Sequence, residues 1–295
     1  MMNPNTLLLG VDGGGTQCRA RLCTSSGVML GAGAAGPANI RSGLRDALAA
    51  VMEAAWRSFQ GAGLSSADLR RTVACLALAG ASEPSHRAAA QKHVFPFART
   101  IITTDAQAAC MGAHRGRDGG IIVVGTGSIG WAELAGRQYR VGGWGLPISD
   151  EGSGAWLGCE VLRRALWAHD GRISWTGLLR RASAQFQGDP HAVVRWTSSA
   201  SPRDFGAFAP LVIEHARNGD TVALELMNLA GGHIDALAAR LIGFGAPRLA
   251  LAGGLAASIE PWLSPATRKY LVSPAGDALD GALQLARAAA EAVAA

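Results

Sequence analysis

The order of apolar and polar positions predicts alternating strands and helices over the first 117 residues. Short apolar or alternating runs, bounded by glycine and polar residues, predict strands at 6–11, 18–24, 28–34, 73–79 and 100–104. Apolar residues at helical spacing predict helices at 45–59, 86–93 and 106–114. The glycines of residues 12–16, Asp-Gly-Gly-Gly-Thr, are expected to close a hairpin between the first two strands.

The pattern starts again at residue 118. A buried strand is predicted at 121–124, followed by the turn Gly-Thr-Gly-Ser at 125–128 and a hairpin of 131–134 with 139–141. Residues 76–80, Leu-Ala-Leu-Ala-Gly, recur letter for letter at 249–253, although such common residues could match by chance. Residues from about 152 to 245 are predicted to be nearly all helical.

Two halves that both open with a glycine-turned hairpin predict an α/β fold of two similar domains flanking a cleft. The expected domains are residues 1–117 and residues 118–278, the second with the helical insertion at about 152–245. A terminal helix, 279–295, is expected to pack back on the first domain. A ligand would then bind in the cleft.

The amino-acid composition argues against several classes of function. The net charge of +5 comes from basic and acidic residues that are interleaved, without the dense basic run of a nucleic-acid or membrane-surface segment. The five cysteines lie far apart, in no metal-binding spacing, and are expected to be reduced thiols. With neither a signal peptide nor a membrane span recognised, we expect a cytoplasmic protein without a nucleic-acid or membrane partner. The oligomeric state stays open, with a homodimer among the alternatives.

The two glycine turns are candidate phosphate sites, because glycine lets backbone amides approach an anion. Each could equally be an ordinary hairpin turn. Neither Lys92 nor Lys269 stands in a P-loop, so P-loop chemistry is excluded. Residues 125–130 match the dinucleotide pattern G-x-G-x-x-G, with Asp150 at a suitable distance. The residues that follow alternate like a strand instead of forming a helix, so a nicotinamide-dependent dehydrogenase is the weaker alternative.

Two aspartates follow predicted strands. Asp12 is placed to hold a hydrated Mg²⁺, or alternatively to form the turn. Asp105 opens a predicted helix, and the residue type and position alone favour a helix N-cap. Phosphoryl transfer would give Asp105 another role, as the general base for an attacking hydroxyl.

A glycine-rich loop at 142–154 interrupts the apolar pattern. Trp144 and Asp150 could hold a sugar ring and its hydroxyls. Alternatively Trp144 is a core aromatic, and Asp150 or Ser153 caps the following helix.

In this order, six segments of the chain carry a resemblance. They are residues 10–16 (GVDGGGT), 104–106 (TDA), 124–128 (VGTGS), 143–145 (GWG), 149–153 (SDEGS) and 252–254 (AGG). The chain resembles the N-acetylglucosamine kinase and glucosamine kinase group of the BadF/BadG/BcrA/BcrD ATPase family. This resemblance implies an RNase H-like fold of the actin/hexokinase type and a kinase that uses ATP and Mg²⁺ to phosphorylate an amino sugar, N-acetylglucosamine or glucosamine, on its 6-hydroxyl.

The resemblance also implies roles for individual residues. Asp105 would be the catalytic base and Asp12 the metal ligand. The implied nucleotide-binding residues are Gly13, Gly14, Gly15, Thr16, Gly125, Gly127, Ser128, Gly253 and Gly254. The implied sugar-binding residues are Asn39, Thr126, Trp144, Gly145 and Asp150.

Two points depart from the family pattern. Gln17 stands where many relatives carry a basic residue, and Arg19 could supply the missing charge. The activator ATPases of the wider family use cysteines to hold an iron–sulfur cluster, and the scattered cysteines of this chain match no such arrangement. An activator-type ATPase that lacks a sugar acceptor is the alternative function.

Overall fold

The computed structural model describes residues 3–294, which fall into two compact units. The first unit contains residues 3–119 and 273–294, and the second contains residues 120–272. The predicted start of the chain and the predicted terminal helix extend to residues 1–2 and 295, which lie outside the described residues. No helix within 3–294 combines the length and apolar character needed to cross a membrane.

Nine strands are described. They are β1 (Leu7–Gly13), β2 (Cys18–Thr24), β3 (Met29–Ala35), β4 (Thr72–Leu78), β5 (Arg99–Thr104), β6 (Gly119–Val124), β7 (Ser128–Leu134), β8 (Arg137–Gly142) and β9 (Leu249–Ala252).

Twelve α-helices are described, six of them in the predicted insertion. They are α1 (Leu44–Gly61), α2 (Pro84–Gln91), α3 (Asp105–His114), α4 (Gly154–His169), α5 (Gly177–Ala184), α6 (Pro190–Thr197), α7 (Pro202–Gly206), α8 (Ala209–Arg217), α9 (Thr221–Gly243), α10 (Ala256–Ile259), α11 (Pro265–Arg268) and α12 (Ala278–Ala294).

The first unit is built on a five-stranded mixed sheet in the order β3-β2-β1-β4-β5. The hairpin strands β1 and β2 are antiparallel, whereas β1, β4 and β5 run parallel. Strand side chains alternate between the two faces, and both faces are buried here. Leu7 and Leu9 of β1 join the core under α1, and Leu8 joins the core under α12.

The second unit has a four-stranded sheet in the order β8-β7-β6-β9, which is also mixed because β7 and β8 are antiparallel while β6 and β9 are parallel. Helices α4 to α9 form the insertion, and their apolar faces share one core with β6 and β7. The predicted fold class, two mixed-sheet α/β domains with a helical insertion in the second, is confirmed.

The repeated pentapeptide falls on corresponding strands but in different registers. Both β4 and β9 lie parallel to the first strand of their unit's hairpin. Leu76 pairs with Val11 near the end of β1, whereas Leu249 pairs with Gly120 near the start of β6. The matching letters therefore do not mark equivalent positions.

Helices α3 and α12 approach each other closely through glycines. A Cβ built on Gly281 would lie 1.8 Å from the carbonyl oxygen of Ala108, and one on Gly112 would lie 1.9 Å from that of Asp277. A methyl group at either position would force the helices apart. This contact fixes α12 against α3.

We therefore expect Gly281→Ala to destabilise the protein by about 2 kcal/mol or more, since overpacking exceeds the helix-propensity gain. Gly232→Ala in α9 is the matched control, because a Cβ there meets nothing within 4 Å. The control should be neutral or stabilise by up to about 1 kcal/mol. Thermal unfolding of both variants measures the difference, and equal melting temperatures would contradict the close packing.

Candidate active site

The parallel strands of the first unit bring the two candidate aspartates to one edge of the sheet. Asp12 pairs with Ala77 of β4, and Ala77 pairs with Thr103 of β5. Two strand spacings separate Asp12 from Thr103, which is about 10 Å. Asp105 follows β5 directly. The carboxyl ends of β1 and β5 thus present both carboxylates on the same edge.

Asp12 is paired with an arginine across the hairpin. Its Oδ2 accepts a hydrogen bond from Nη2 of Arg19 at 2.6 Å, and the Asp12 side chain is 17% exposed. The hydrogen bond to Asp12 raises the pKa of Arg19, against the opposing effect of burial. The cation beside the candidate metal ligand is therefore Arg19, while Gln17 is exposed in the turn.

The first glycine turn lies beside Asn39. Gly14 donates its N–H to the carbonyl of Gln17 at 3.0 Å, and the carbonyl of Gly14 accepts from the N–H of Ala38 at 2.9 Å. This second bond brings the loop after β3 to the turn. A Cβ on Gly15 would lie 4.0 Å from Nδ2 of Asn39. The structure thus brings Asn39 to Gly13, Gly14, Gly15 and Thr16.

Asp105 is not the N-cap of α3, although its residue type and its position in the sequence favour that interpretation. The cap is Thr104, whose Oγ1 accepts from the N–H of Gln107 at 3.0 Å. Asp105 is the first helical residue, and its Oδ1 accepts from the N–H of Ala106 at 2.9 Å. The helix N-terminus favours a negative charge here, and the residue is only partly buried.

The second turn, residues 125–128, is tied to the start of α4. The carbonyl of Gly125 accepts a hydrogen bond from Gly154 N–H at 2.8 Å, and the carbonyl of Thr126 accepts one from Ala155 N–H at 3.0 Å. In addition, Ser128 Oγ donates a hydrogen bond to the carbonyl of Glu151 at 2.8 Å. Strand β7 begins at Ser128, the last residue of this turn, where a dinucleotide site requires a helix. The dehydrogenase alternative is therefore wrong.

Asp150 joins the second turn to the glycine-rich loop. Its Oδ1 accepts from the N–H of Gly145 at 3.0 Å, and a Cβ on Gly127 would lie 2.4 Å from its Oδ2. Asp150 adopts a left-handed backbone with φ of 64°. The cap of α4 is Ser153, which accepts from Trp156 N–H at 3.2 Å. Asp150 is thus directed at the turn and is not a cap.

Trp144 lies at the surface of the same loop. The residue is 65% exposed, which excludes the core-aromatic alternative. The guanidinium of Arg140 stacks over its ring at 3.9 Å from the ring centroid. This pair offers a flat aromatic face that a sugar ring could use.

Gly253 and Gly254 lie beside the second turn. Gly253 has φ of 96°, and a Cβ there would lie 2.3 Å from the carbonyl oxygen of Val124. The same carbonyl accepts from the N–H of Leu255 at 3.0 Å. A Cβ on Gly125 would lie 4.0 Å from Gly254 N, so these glycines and residues 125–128 share one surface.

Three of the glycines have no structural need to be glycine. Gly15, Gly125 and Gly254 lack a positive φ, and a Cβ on any of them would have no neighbour closer than 4.0 Å. Such open backbone allows close approach of an anion and fits a nucleotide phosphate. Among residues 3–294 no group of three or more metal-binding side chains occurs. A Mg²⁺ ion that keeps water and phosphate oxygens as ligands needs only one or two carboxylates, and Asp12, next to the first glycine turn, is a carboxylate that fits this role.

Comparison with known proteins identifies the family. The model of the BadF/BadG/BcrA/BcrD ATPase family matches residues 9–286. The chain belongs to this family. It is 40% identical over 278 residues to the glucosamine kinase GspK of Vibrio cholerae, a match that covers 94% of this chain and 95% of that protein. The resemblance found in the sequence is confirmed, and ATP is the nucleotide that this ATPase family implies.

Solved structures place the fold within the same group. A provisionally named N-acetylglucosamine kinase from Chromobacterium violaceum has a TM-score of 0.90 at 37% identity, over 96% of this chain and 100% of that chain. A ROK family glucokinase from Streptomyces griseus, at 18% identity, has a TM-score of 0.57 over 96% of this chain and 99% of that chain, and this likeness concerns the fold alone. The expected actin/hexokinase-type fold is confirmed.

Three contacts of this family member were not predicted from its sequence. They are the pairing of Arg19 with Asp12, the stacking of Arg140 on Trp144, and the contact of Asp150 with Gly127. The hairpin register could have revealed the first contact, because Arg19 pairs with Asp12 across a tight turn. The other two contacts depend on loop conformations that the spacing of apolar residues does not determine.

The two adjacent glycines 253 and 254 should respond differently to alanine. Gly253→Ala forces a strained φ and a clash with Val124, so we expect a clear loss of stability, about 1–3 kcal/mol. Gly254→Ala should leave the melting temperature within about 1 °C while weakening ADP binding. Thermal unfolding and calorimetry of both variants provide the measurement, and unchanged ADP affinity in Gly254→Ala would remove Gly254 from the nucleotide site.

Proposed function

We propose that this chain transfers the γ-phosphoryl group of ATP to the 6-hydroxyl of an amino sugar, with glucosamine as the first acceptor to test. The observation that carries the proposal is the shared sheet edge of Asp12, Asp105 and the first glycine turn. A phosphoryl transferase needs a metal ligand, a base and phosphate-binding amides in this combination.

The relatives support the same activity. The match to a glucosamine kinase at 40% identity covers nearly the whole of both chains. The alternative, an activator ATPase that lacks a sugar acceptor, is not favoured. A component of a hydroxyglutaryl-CoA dehydratase shares the fold at only 12% identity.

In the proposed reaction Asp105 accepts the proton of the 6-hydroxyl. The sugar oxygen then forms a bond to the γ-phosphorus as the bond to the β–γ bridging oxygen breaks, and ADP leaves. Mg²⁺, held at Asp12, would neutralise charge on the phosphate oxygens. The proposed binding roles are phosphate contacts at each of the two glycine turns and adenosine contacts at Gly253 and Gly254. Sugar contacts are proposed for Asn39 in the first unit and for Thr126, Trp144, Gly145 and Asp150 in the second.

The proposal includes a cytoplasmic location, because the reaction consumes ATP and all five cysteines are free thiols. It requires neither nucleic acid nor a membrane, and a homodimer is not needed for any of the proposed roles.

A sugar panel tests the proposed activity. With Mg²⁺ and ATP, ADP release should accelerate at least about 100-fold over the sugar-free rate with glucosamine or N-acetylglucosamine, and less with glucose. The two amino sugars are distinguished by their kcat/KM values. Slow ADP release that ignores every sugar would support the activator-type ATPase instead.

Asp105→Asn tests the proposed base. The amide keeps an oxygen to accept from Ala106 N–H but cannot take a proton, so kcat should fall about 10²- to 10⁴-fold. Binding of ADP should stay within about twofold of wild type. Asp46→Asn makes the same change in the first turn of α1, at an exposed position, and should keep wild-type kcat. A normal kcat in Asp105→Asn would overturn the assignment.

A further inference from the structure

Asp12 is the first member of a chain of ion pairs that ends at the cap of α12. Arg19 bonds Asp12 through Nη2 at 2.6 Å and approaches Oδ2 of Asp277 through Nη1 at 3.8 Å. The same Oδ2 lies 3.3 Å from Nη2 of Arg21, whose Nη1 pairs with Asp280. We name these five residues the Asp12–Asp280 chain. All of them belong to the first unit.

Asp277 and Asp280 also form a reciprocal cap. Asp277 Oδ1 accepts from Asp280 N–H at 3.0 Å, and Asp280 Oδ2 accepts from Asp277 N–H at 2.9 Å. These bonds close the N-terminus of α12, which packs tightly on α3. The cap therefore gives Asp277 a fixed position, and its second oxygen remains available to the two arginines.

Arg19 is consequently shared between two carboxylates. A guanidinium offers several donors in a rigid fork and can serve both at once. A Mg²⁺ ion that approaches Asp12 must compete with the positive charge of Arg19. Asp277 is the carboxylate that can attract this charge away from Asp12.

We propose that Asp277 is a positioning residue for the phosphoryl transfer: by attracting Arg19, it leaves the Asp12 carboxylate available to Mg²⁺-nucleotide. The proposal rests on the metal-binding role proposed for Asp12. It assigns to the C-terminal helix a function at the candidate metal site besides its packing in the core.

Asp277→Asn provides the test. The amide oxygen keeps the cap bond to Asp280 N–H but loses the charge that attracts Arg19. Arg19 then pairs more tightly with Asp12, and more Mg²⁺ is needed to compete with it. The Mg²⁺ concentration that gives half of the maximal enhancement of ADP binding should rise about twofold to fivefold, which corresponds to the free energy of a part-exposed ion pair. Isothermal calorimetry of ADP on the full chain, over a Mg²⁺ series, measures this value without turnover.

Two further variants separate positioning from a structural effect. Asp280→Asn alters the other half of the same cap and reaches Arg19 only indirectly, through Arg21 and Asp277, so it should shift the Mg²⁺ requirement less than Asp277→Asn does. In an Arg19→Gln background, adding Asp277→Asn should cause no further change, because the residue on which Asp277 acts is gone. Should Asp277→Asn fail to fold, Asp277→Ser keeps a capping oxygen and takes its place.

An unchanged Mg²⁺ requirement in Asp277→Asn would overturn the proposal. An equal shift in Asp280→Asn, or a shift that persists without Arg19, would also overturn it, because the effect would then come from the helix cap. Asp12→Asn tests the premise separately. If the Asp12→Asn variant keeps the wild-type Mg²⁺ dependence, Asp12 is not the metal ligand, and both the metal assignment and this inference fail. The kinase reaction itself is tested independently, by the sugar panel.

Discussion

The parallel pairing of β1, β4 and β5 is the constraint on which the candidate site of the first unit depends. Parallel strands end at the same edge of a sheet, so residues far apart in sequence meet there without any direct bond between them. The 92 residues between Asp12 and Asp105 include strands β2 to β5 and helices α1 and α2, yet the register sets the two aspartates two strands apart. A slip of one residue in the pairing of β1 with β4 would turn the Asp12 side chain to the opposite face of the sheet.

The strands can pair this way because both faces of the sheet are covered. Helix α1 buries one face, and the pair of α3 and α12 buries the other. Close approach of α3 and α12 depends on Gly112 and Gly281, where no side chain fits. The glycines in this packing contact and the open glycines of the turns thus serve different purposes. The former allow two backbones to meet, and the latter leave backbone exposed for a ligand.

Much of the fold could be predicted because it is encoded locally. Strand β2 was predicted with its observed limits, 18–24, because Arg19 and Arg21 alternate with apolar residues within a single buried strand. The residue types alone do not select the N-cap of α3, since Thr104 and Asp105 are both good caps and only the backbone geometry selects Thr104. The contact of Asp150 with Gly127 requires a left-handed residue after a loop, which no apolar pattern records. The shared Arg19 depends on Asp277, more than 250 positions away, and so could not be foreseen.

The two units carry different kinds of polar chemistry. In the first unit the candidate site contains two carboxylates, so a polyanionic nucleotide meets repulsion unless cations compensate, and Arg19 beside Asp12 is one such cation. In the second unit the turn at 125–128 is held by backbone hydrogen bonds, with Asp150 as the carboxylate that contacts it. Neutral amides bind phosphate without competing for a metal ion. Metal dependence should therefore arise in the first unit, where Mg²⁺ would compete with the guanidinium of Arg19 for the carboxylate of Asp12.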